Sequence, residues 1–186
     1  MVRAVDNHQM QIGQVDISKI RIDPKSRDDI PQILRGLQYI YITQPIREKV
    51  FALLEKHVAP NISKSNGRPG MELWKIFVLG VLRLDLNCDY DRLQSLVNSH
   101  IEIRQMLGHA DFFDKHYYEL QTIKDNVSLL SVELLNDINE VVVHAGHALV
   151  KKKKNKRCMG GATALSLRLM FIIQPILIYC LMPCVK

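Results

Sequence analysis

The sequence predicts an all-α protein, a bundle of six or seven helices with a helix-turn-helix-like element, followed by a non-native hydrophobic tail. Three observations carry that expectation. Apolar residues recur at helical spacing through residues 26–150, no stretch there needs strand pairing, and the chain changes character at residue 151. All 19 Asp and Glu lie in residues 1–150, beside 17 Lys and Arg; residues 151–186 hold eight Lys and Arg, three of the four cysteines and no acid. The formal charges are thus −2 and +8, which together make the +6 of the chain. A domain folding around one core rarely separates its charge so completely. The expected division is an N-terminal arm at 1–25, a helical body at 26–150, a basic linker at 151–158 and an out-of-frame hydrophobic tail at 159–186.

Each element has its own signal. Ile17, Ile20 and Ile22 alternate with polar residues and read as a short extended arm. Ser26 with Asp29 marks a helix start, and Ile30, Ile33, Leu34, Leu37 and Tyr41 follow at helical spacing. Thr43 begins a second helix with Pro45 in its first turn, where the missing N–H costs nothing. Its stripe is Ile46, Val50, Leu53, Leu54 and Val58, and a loop rich in Asn, Ser, Gly and Pro covers 59–70. Met71 to Leu84 is apolar nearly all round, which places that helix at the centre of the bundle, with Trp74 in the core.

The second half follows the same logic. Asn87 or Asp89 caps a helix holding Tyr90, Leu93, Leu96 and Val97. Ser99 with Glu102 forms a capping box for the next, which Gly108 stops after Met106 and Leu107. An aromatic and charged loop spans 109–121. Thr122 with Asp125 caps a short helix through Leu130, and Ser131 opens a long one carrying Leu134, Leu135, Ile138, Val142, Ala145 and Leu149.

Several function classes are disfavoured. The basic pI of about 9.2 comes from the tail, so it says little about the body. Residues 1–20 hold Arg3, Asp6, Asp16 and Lys19 and no apolar signal core, and Cys88 is alone in the body; the expected compartment is a reducing cytoplasm. No nucleophilic triad, phosphate loop or dinucleotide fingerprint is present in the sequence. His144 and His147 are three apart on a helix, but no carboxylate or cysteine completes a metal set, and Cys180 and Cys184 lack the spacing of a zinc knuckle.

Other residues carry a family likeness. Gly67-Arg68-Pro69-Gly70, with Leu73-Trp74-Lys75 opening an apolar helix, resembles the N-terminal domain of bacterial insertion-sequence transposases. Arg104-Gln105-Met106-Leu107-Gly108 and the Leu120-Gln121-Thr122 helix start follow in the order of that family. The stretch from Gln14 to Asp29, the run Leu34-Arg35-Gly36-Leu37-Gln38-Tyr39, and Lys124-Asp125-Asn126-Val127-Ser128-Leu129-Leu130 are similar to the ISNCY-type subgroup of the DDE superfamily. The likeness covers roughly residues 9–157. It implies a helical domain that binds the terminal repeats of a mobile element, ahead of a ribonuclease-H-like domain that cuts and joins DNA. There, three acidic residues hold divalent metal, and two metal ions clamp an in-line phosphoryl transfer. No acid follows Arg157, so this chain is expected to lack that metal site, to need no cofactor and to be no enzyme.

The tail supports that expectation. From Ala164 to Cys184 it is mostly Leu, Ile and Met, interrupted by Arg168, Gln174 and Pro175. Read one base out of frame from Met159, with synonymous codons chosen freely, it can encode a peptide resembling the opening of the catalytic domain. That peptide carries a Thr-Asp where the first metal-binding carboxylate belongs, and the A-rich codons of the lysine run near Lys154 are where a slip would occur. The competing reading is a C-terminal transmembrane segment flanked by lysines, which would make the chain a membrane-tethered, non-enzymatic adaptor. Gln174 and Pro175 would then sit unfavourably at mid-span. A decayed remnant without selected function is the third reading.

If the body binds DNA, its candidate contacts are specific. Arg68 and Lys64, in the loop before the central helix, are candidates to hold a phosphate, as are Lys75 and Arg104, although Arg68 also suits a plain helix start, Lys64 a solvated loop, and Lys75 and Arg104 the polar sides of amphipathic helices. Thr122, Lys124 and Asn126 begin a short helix that could present them to base edges, although the same residue types cap and solubilise any surface helix. Lys151, Lys152, Lys153 and Lys154 could bind the phosphate backbone, or simply end a helix whose C-terminal turn favours cations. The expected partners are the insertion-sequence terminal repeats and a full-length transposase, with a membrane only under the adaptor reading.

Overall fold

The computed structural model describes residues 2–3, 14–23, 25–58, 68–110 and 114–154, with the backbone alone at 2–3, 68–69 and 146–154. Among the described residues there are seven α-helices: α1 (Asp29–Ile42), α2 (Gln44–Val58), α3 (Leu73–Asp85), α4 (Tyr90–Ser99), α5 (Ile101–Met106), α6 (Leu120–Val127) and α7 (Val132–Lys154). Two-residue strands β1 (Val2–Arg3) and β2 (Arg68–Pro69) pair in parallel. The all-α bundle is as the sequence predicts. The 59–67 loop, the rest of the linker after Lys154 and the 159–186 tail lie outside the described residues.

Helix α3 is central because it has no polar side broad enough to face water. Leu73, Trp74, Ile76, Phe77, Val78, Leu79, Val81 and Leu82 are all buried, each contributing roughly 1.5–3 kcal/mol of apolar burial. Around it pack α1, α2, α4 and α6, while α7 lies along α2. Trp74 is in the core as expected, its ring beside those of Tyr41, Phe51 and Phe77.

The helix ends follow from local chemistry. Pro31 and Pro45 both fall in first turns, where no intrahelical N–H is needed. Thr43 joins α1 to α2 in one residue: its N–H donates to the Tyr39 carbonyl, and its own carbonyl accepts from Ile46 and Arg47. At the end of α3, Asn87 adopts φ 44°, with its N–H on Leu84 and that of Cys88 on Arg83. Gly108 closes α5 in the same way at φ 82°, with its N–H on Gln105 and that of His109 on Arg104. Both are Schellman motifs, which satisfy carbonyls the helix would otherwise leave free. Asp89 caps α4 by accepting the Arg92 N–H at 2.8 Å, and Ser131 Oγ accepts the Leu134 N–H at the start of α7.

Three local expectations are corrected. The stretch from Ile17 is not extended: Asp16 accepts the Ser18 N–H at 2.9 Å and turns Ile17–Lys19 into a 3-10 helix. Ile17 and Ile20 thereby enter the core, and Gln38 Nε2 donates to both their carbonyls. Part of the N-terminal arm is therefore packed on the body. The Ser99–Glu102 capping box does not form, because α4 runs on through Ser99, whose Oγ donates to the Ser95 carbonyl at 2.6 Å. His100 is the N-cap of α5 instead. Finally, α6 begins at Leu120 after Glu119, two residues before Thr122, because the chain at Tyr118 is already fixed by α4, and it ends at Val127, short of the expected Leu130.

Candidate nucleic-acid interface

Helices α4 and α6 pack against one another and both against α3. In the chain, α5 and the segment 107–119 separate them, so they are not joined by a tight turn. What fixes α6 is a polar cluster rather than a short connection. Arg104, on α5, donates from Nη1 to the His116 carbonyl at 3.0 Å and from Nη2 to the Asp114 carbonyl at 2.9 Å. His109 bridges Asp114 through Nδ1 and the Tyr118 hydroxyl through Nε2, the latter at 2.7 Å. Asn98 then holds both backbone polar groups of Tyr118, accepting its N–H at 2.9 Å and donating to its carbonyl at 3.1 Å. Gln94 donates to the same carbonyl at 3.0 Å.

The electrostatics of the cluster follow from burial. Burial pushes the His109 ring below the ordinary histidine value, outweighing the hydrogen bond and charge of Asp114 that act the other way. For Asp114, burial would raise the carboxyl, but the His116 N–H, the His109 ring and Arg104 together hold it below the usual carboxylate range. Burial raises the Tyr118 phenol, so it remains a donor at any physiological pH. The His116 ring stacks on that of His109 with centroids 5.0 Å apart.

The sequence candidates fall into separate groups. Arg104 is committed to two backbone carbonyls and so organises the connecting segment. Lys75 is half-buried, donates to Glu72 at 3.4 Å and lies within electrostatic reach of His109, which brings it to the border of the same cluster. Thr122 and Lys124 are exposed on α6, and Asn126 Nδ2 donates back to the Thr122 carbonyl at 2.8 Å. Lys124 Nζ lies 5.8 Å from the Tyr90 ring centroid, and the Arg83 guanidinium lies 4.2 Å from it. Two cations from α3 and α6 thus share one ring of α4.

The remaining candidates belong to other elements or lie outside the described residues. Arg68 lies on β2, where only the backbone is described. Lys64 lies outside the described residues. The backbone of α7 is helical through Lys151, Lys152, Lys153 and Lys154, across the expected domain boundary, with those side chains not described. His144 is exposed with Nε2 3.8 Å from Glu140. Among the described residues, no group of three or more His, Cys, Asp and Glu is placed to hold a metal ion, and no helix is long and apolar enough to cross a membrane.

Sequence reasoning missed His109, Asp114, Tyr118, Asn98 and Gln94 as a unit. A faint signal existed in the Asp-x-His at 114–116, a turn in which Asp114 accepts the His116 N–H at 2.8 Å. It also missed Asp85, whose carboxyl is pushed up to about 6 by burial and then by the nearby Asp29. No protein-family model matches the chain, and no curated protein or solved structure matches it.

Proposed function

We propose that residues 26–150 are the DNA-binding domain of an insertion-sequence transposase, able to recognise element ends, and that the acid-free residues 151–186 are an out-of-frame reading of the start of its catalytic domain. The observation that carries this reading is the outer face of α6. There, exposed Lys124 lies near the Tyr90 ring that the Arg83 guanidinium also meets, which brings ammonium and guanidinium donors together at the edge of a short helix, while Thr122 is exposed on another side of it. Such donors suit phosphates and base edges. The helical lysine run at the end of α7 supplies further positive charge. The order of motifs from Gly67 to Leu130 that resembles the transposase family is the second support. A chain that binds ends and cannot cut them would compete with an intact transposase for the same sites.

Titration of the purified protein with a duplex carrying the terminal repeats, across a salt series, tests the reading. Binding should exceed that to random duplex of equal length and weaken as salt rises. Equal affinity for both duplexes at moderate salt would remove the claim of recognition. Sequencing the coding DNA from codon 150 onward tests the frameshift separately: a second frame that is unrelated or interrupted would end it. The apolar run from Ala164 to Cys184 favours the tethered-adaptor reading as the competitor. Retention in membranes through high-salt and carbonate washes would favour that alternative.

A further inference from the structure

His109 has 6% of its surface exposed, and both of its ring nitrogens are engaged. Asp114, held in its carboxylate form, can only accept, so Nδ1 must carry the proton it shares with that oxygen. Nε2 is then a lone pair, and the Tyr118 hydroxyl donates to it at 2.7 Å. Tyr118 has 2% of its surface exposed, and its backbone polar groups are held by Asn98 and Gln94. Glu119, the next residue, is the N-cap of α6. A continuous set of hydrogen bonds therefore runs from the end of α5, through one imidazole, to the start of α6.

We propose that neutral His109 is the positioning residue for α6, and that its protonation loosens the seating of that helix and of whatever the helix contacts. The consequence for DNA rests on the function proposed above, whereas the positioning itself does not. A second proton on the ring would put an N–H at Nε2 facing the phenol, whose own hydrogen would lose its acceptor in a buried site. The charged and titratable groups facing the ring come from several elements. Lys75 of α3 and His116 of the connecting segment oppose a positive charge, while Asp114 favours it. Arg104 of α5 lies beside Asp114, and Glu72 lies toward Tyr118.

The sign of the pH effect follows from the lowered ring value. The unfolded chain takes up its proton first as pH falls through about 6.5, so the contribution of the neutral ring is whole above that and is lost toward the folded-state value.

Hydrogen exchange of the full chain tests this, with rates corrected for the intrinsic effect of pH. Between pH 7.5 and pH 5.5, protection of the α6 amides should fall at least about threefold, while that of α1 and α2 is kept. His109→Gln can donate to Asp114 and accept from Tyr118 but cannot take the proton, so its α6 protection should not change between the two pH values. Unchanged wild-type protection, or a fall that persists in His109→Gln, would overturn the proposal. Should the variant not fold, nitrogen-15 spectra of the wild-type imidazole decide: the proposal requires the Nδ1–H tautomer at pH 7.5, and the Nε2–H tautomer would sink it. Duplex binding measured on the same samples separates the two claims. The expected exchange pattern without binding at either pH leaves positioning standing and removes the DNA role; binding with flat α6 protection does the reverse.

Discussion

The indole N–H of Trp74, on α3, donates to the carbonyl of Met106, the last residue of α5, at 3.0 Å. That bond ties the central helix to the point where Gly108 turns the chain and His109 enters the polar cluster. Trp74→Phe keeps an aromatic ring among Tyr41, Phe51 and Phe77 but leaves the Met106 carbonyl without this donor in a buried site. The expected loss is about 2 kcal/mol, combining a small cavity with an unsatisfied acceptor. Urea unfolding followed by far-ultraviolet circular dichroism measures it, since the substitution removes the sole tryptophan.

Asn87 holds φ 44° at the end of α3. Left-handed backbone costs a residue with a Cβ about 1–2 kcal/mol, least for Asn. Asn87→Gly should therefore be neutral or stabilising by a few tenths of a kcal/mol, while Asn87→Ala should lose about 1 kcal/mol. A thermal melt that ranks alanine above glycine here would contradict the motif.

Gly80 faces Leu130 so closely that a Cβ would come within 2.1 Å of Leu130 Cδ1. Gly80→Ala gains helix propensity of about 1 kcal/mol but must displace that methyl, an overpacking cost of about 1–3 kcal/mol. The single variant should be destabilised overall. In a double-mutant cycle with Leu130→Ala, the two changes should be less harmful together than their sum, by about 1 kcal/mol. Strict additivity would mean that the α3 surface does not seat Leu130 as described.

Asp85 is the last residue of α3, where the helix dipole disfavours an anion, and burial together with Asp29 pushes its carboxyl up to about 6. A raised folded-state value means that the fold favours the protonated form. Stability is therefore full below about pH 4 and declines as pH rises through about 6. Asp85→Asn, a neutral isostere, should stabilise the protein by about 1 kcal/mol at pH 7.5, allowing for solvent screening, and by almost nothing at pH 4. Chemical denaturation of both proteins at the two pH values provides the check.

The lysine turn at the end of α7 gives a prediction on binding. Replacing Lys151, Lys152, Lys153 and Lys154 by Gln should lower affinity for all duplexes alike and flatten the dependence of log affinity on log salt by about 0.9 for each phosphate contact removed. Lys124→Ala should instead lower preference for the terminal repeats if α6 reads bases. An unchanged salt slope in the fourfold variant would place the α7 lysines away from the DNA.

Where a helix could be read from spacing, the reading rested on burial that repeats locally. The nearly uniform apolar run of Leu73–Leu82 can only sit inside, and Asp89, Ser131 and Gly108 end or start helices through bonds to residues at most five positions away. The failures had another origin. Ser99 and Thr122 carry cap chemistry, but Ser99 back-bonds within a helix that runs one residue further, and Thr122 follows a helix start fixed from α4. Arg104 has the side chain of a phosphate ligand, and its two carbonyl partners lie ten and twelve residues along the chain.

Sequence alone thus determined that this chain forms helices, where some of them begin or end, and which one occupies the middle, because those choices depend on residues within a turn or two of each other. Tertiary structure alone decided that Ile17 and Ile20 join the core, that Arg83 and Lys124 share the ring of Tyr90, and that His109 links α5 to α6. Those relationships join residues distant in sequence or on different elements, and the protonation of a buried imidazole depends on the water it loses and the partners it gains only when they meet.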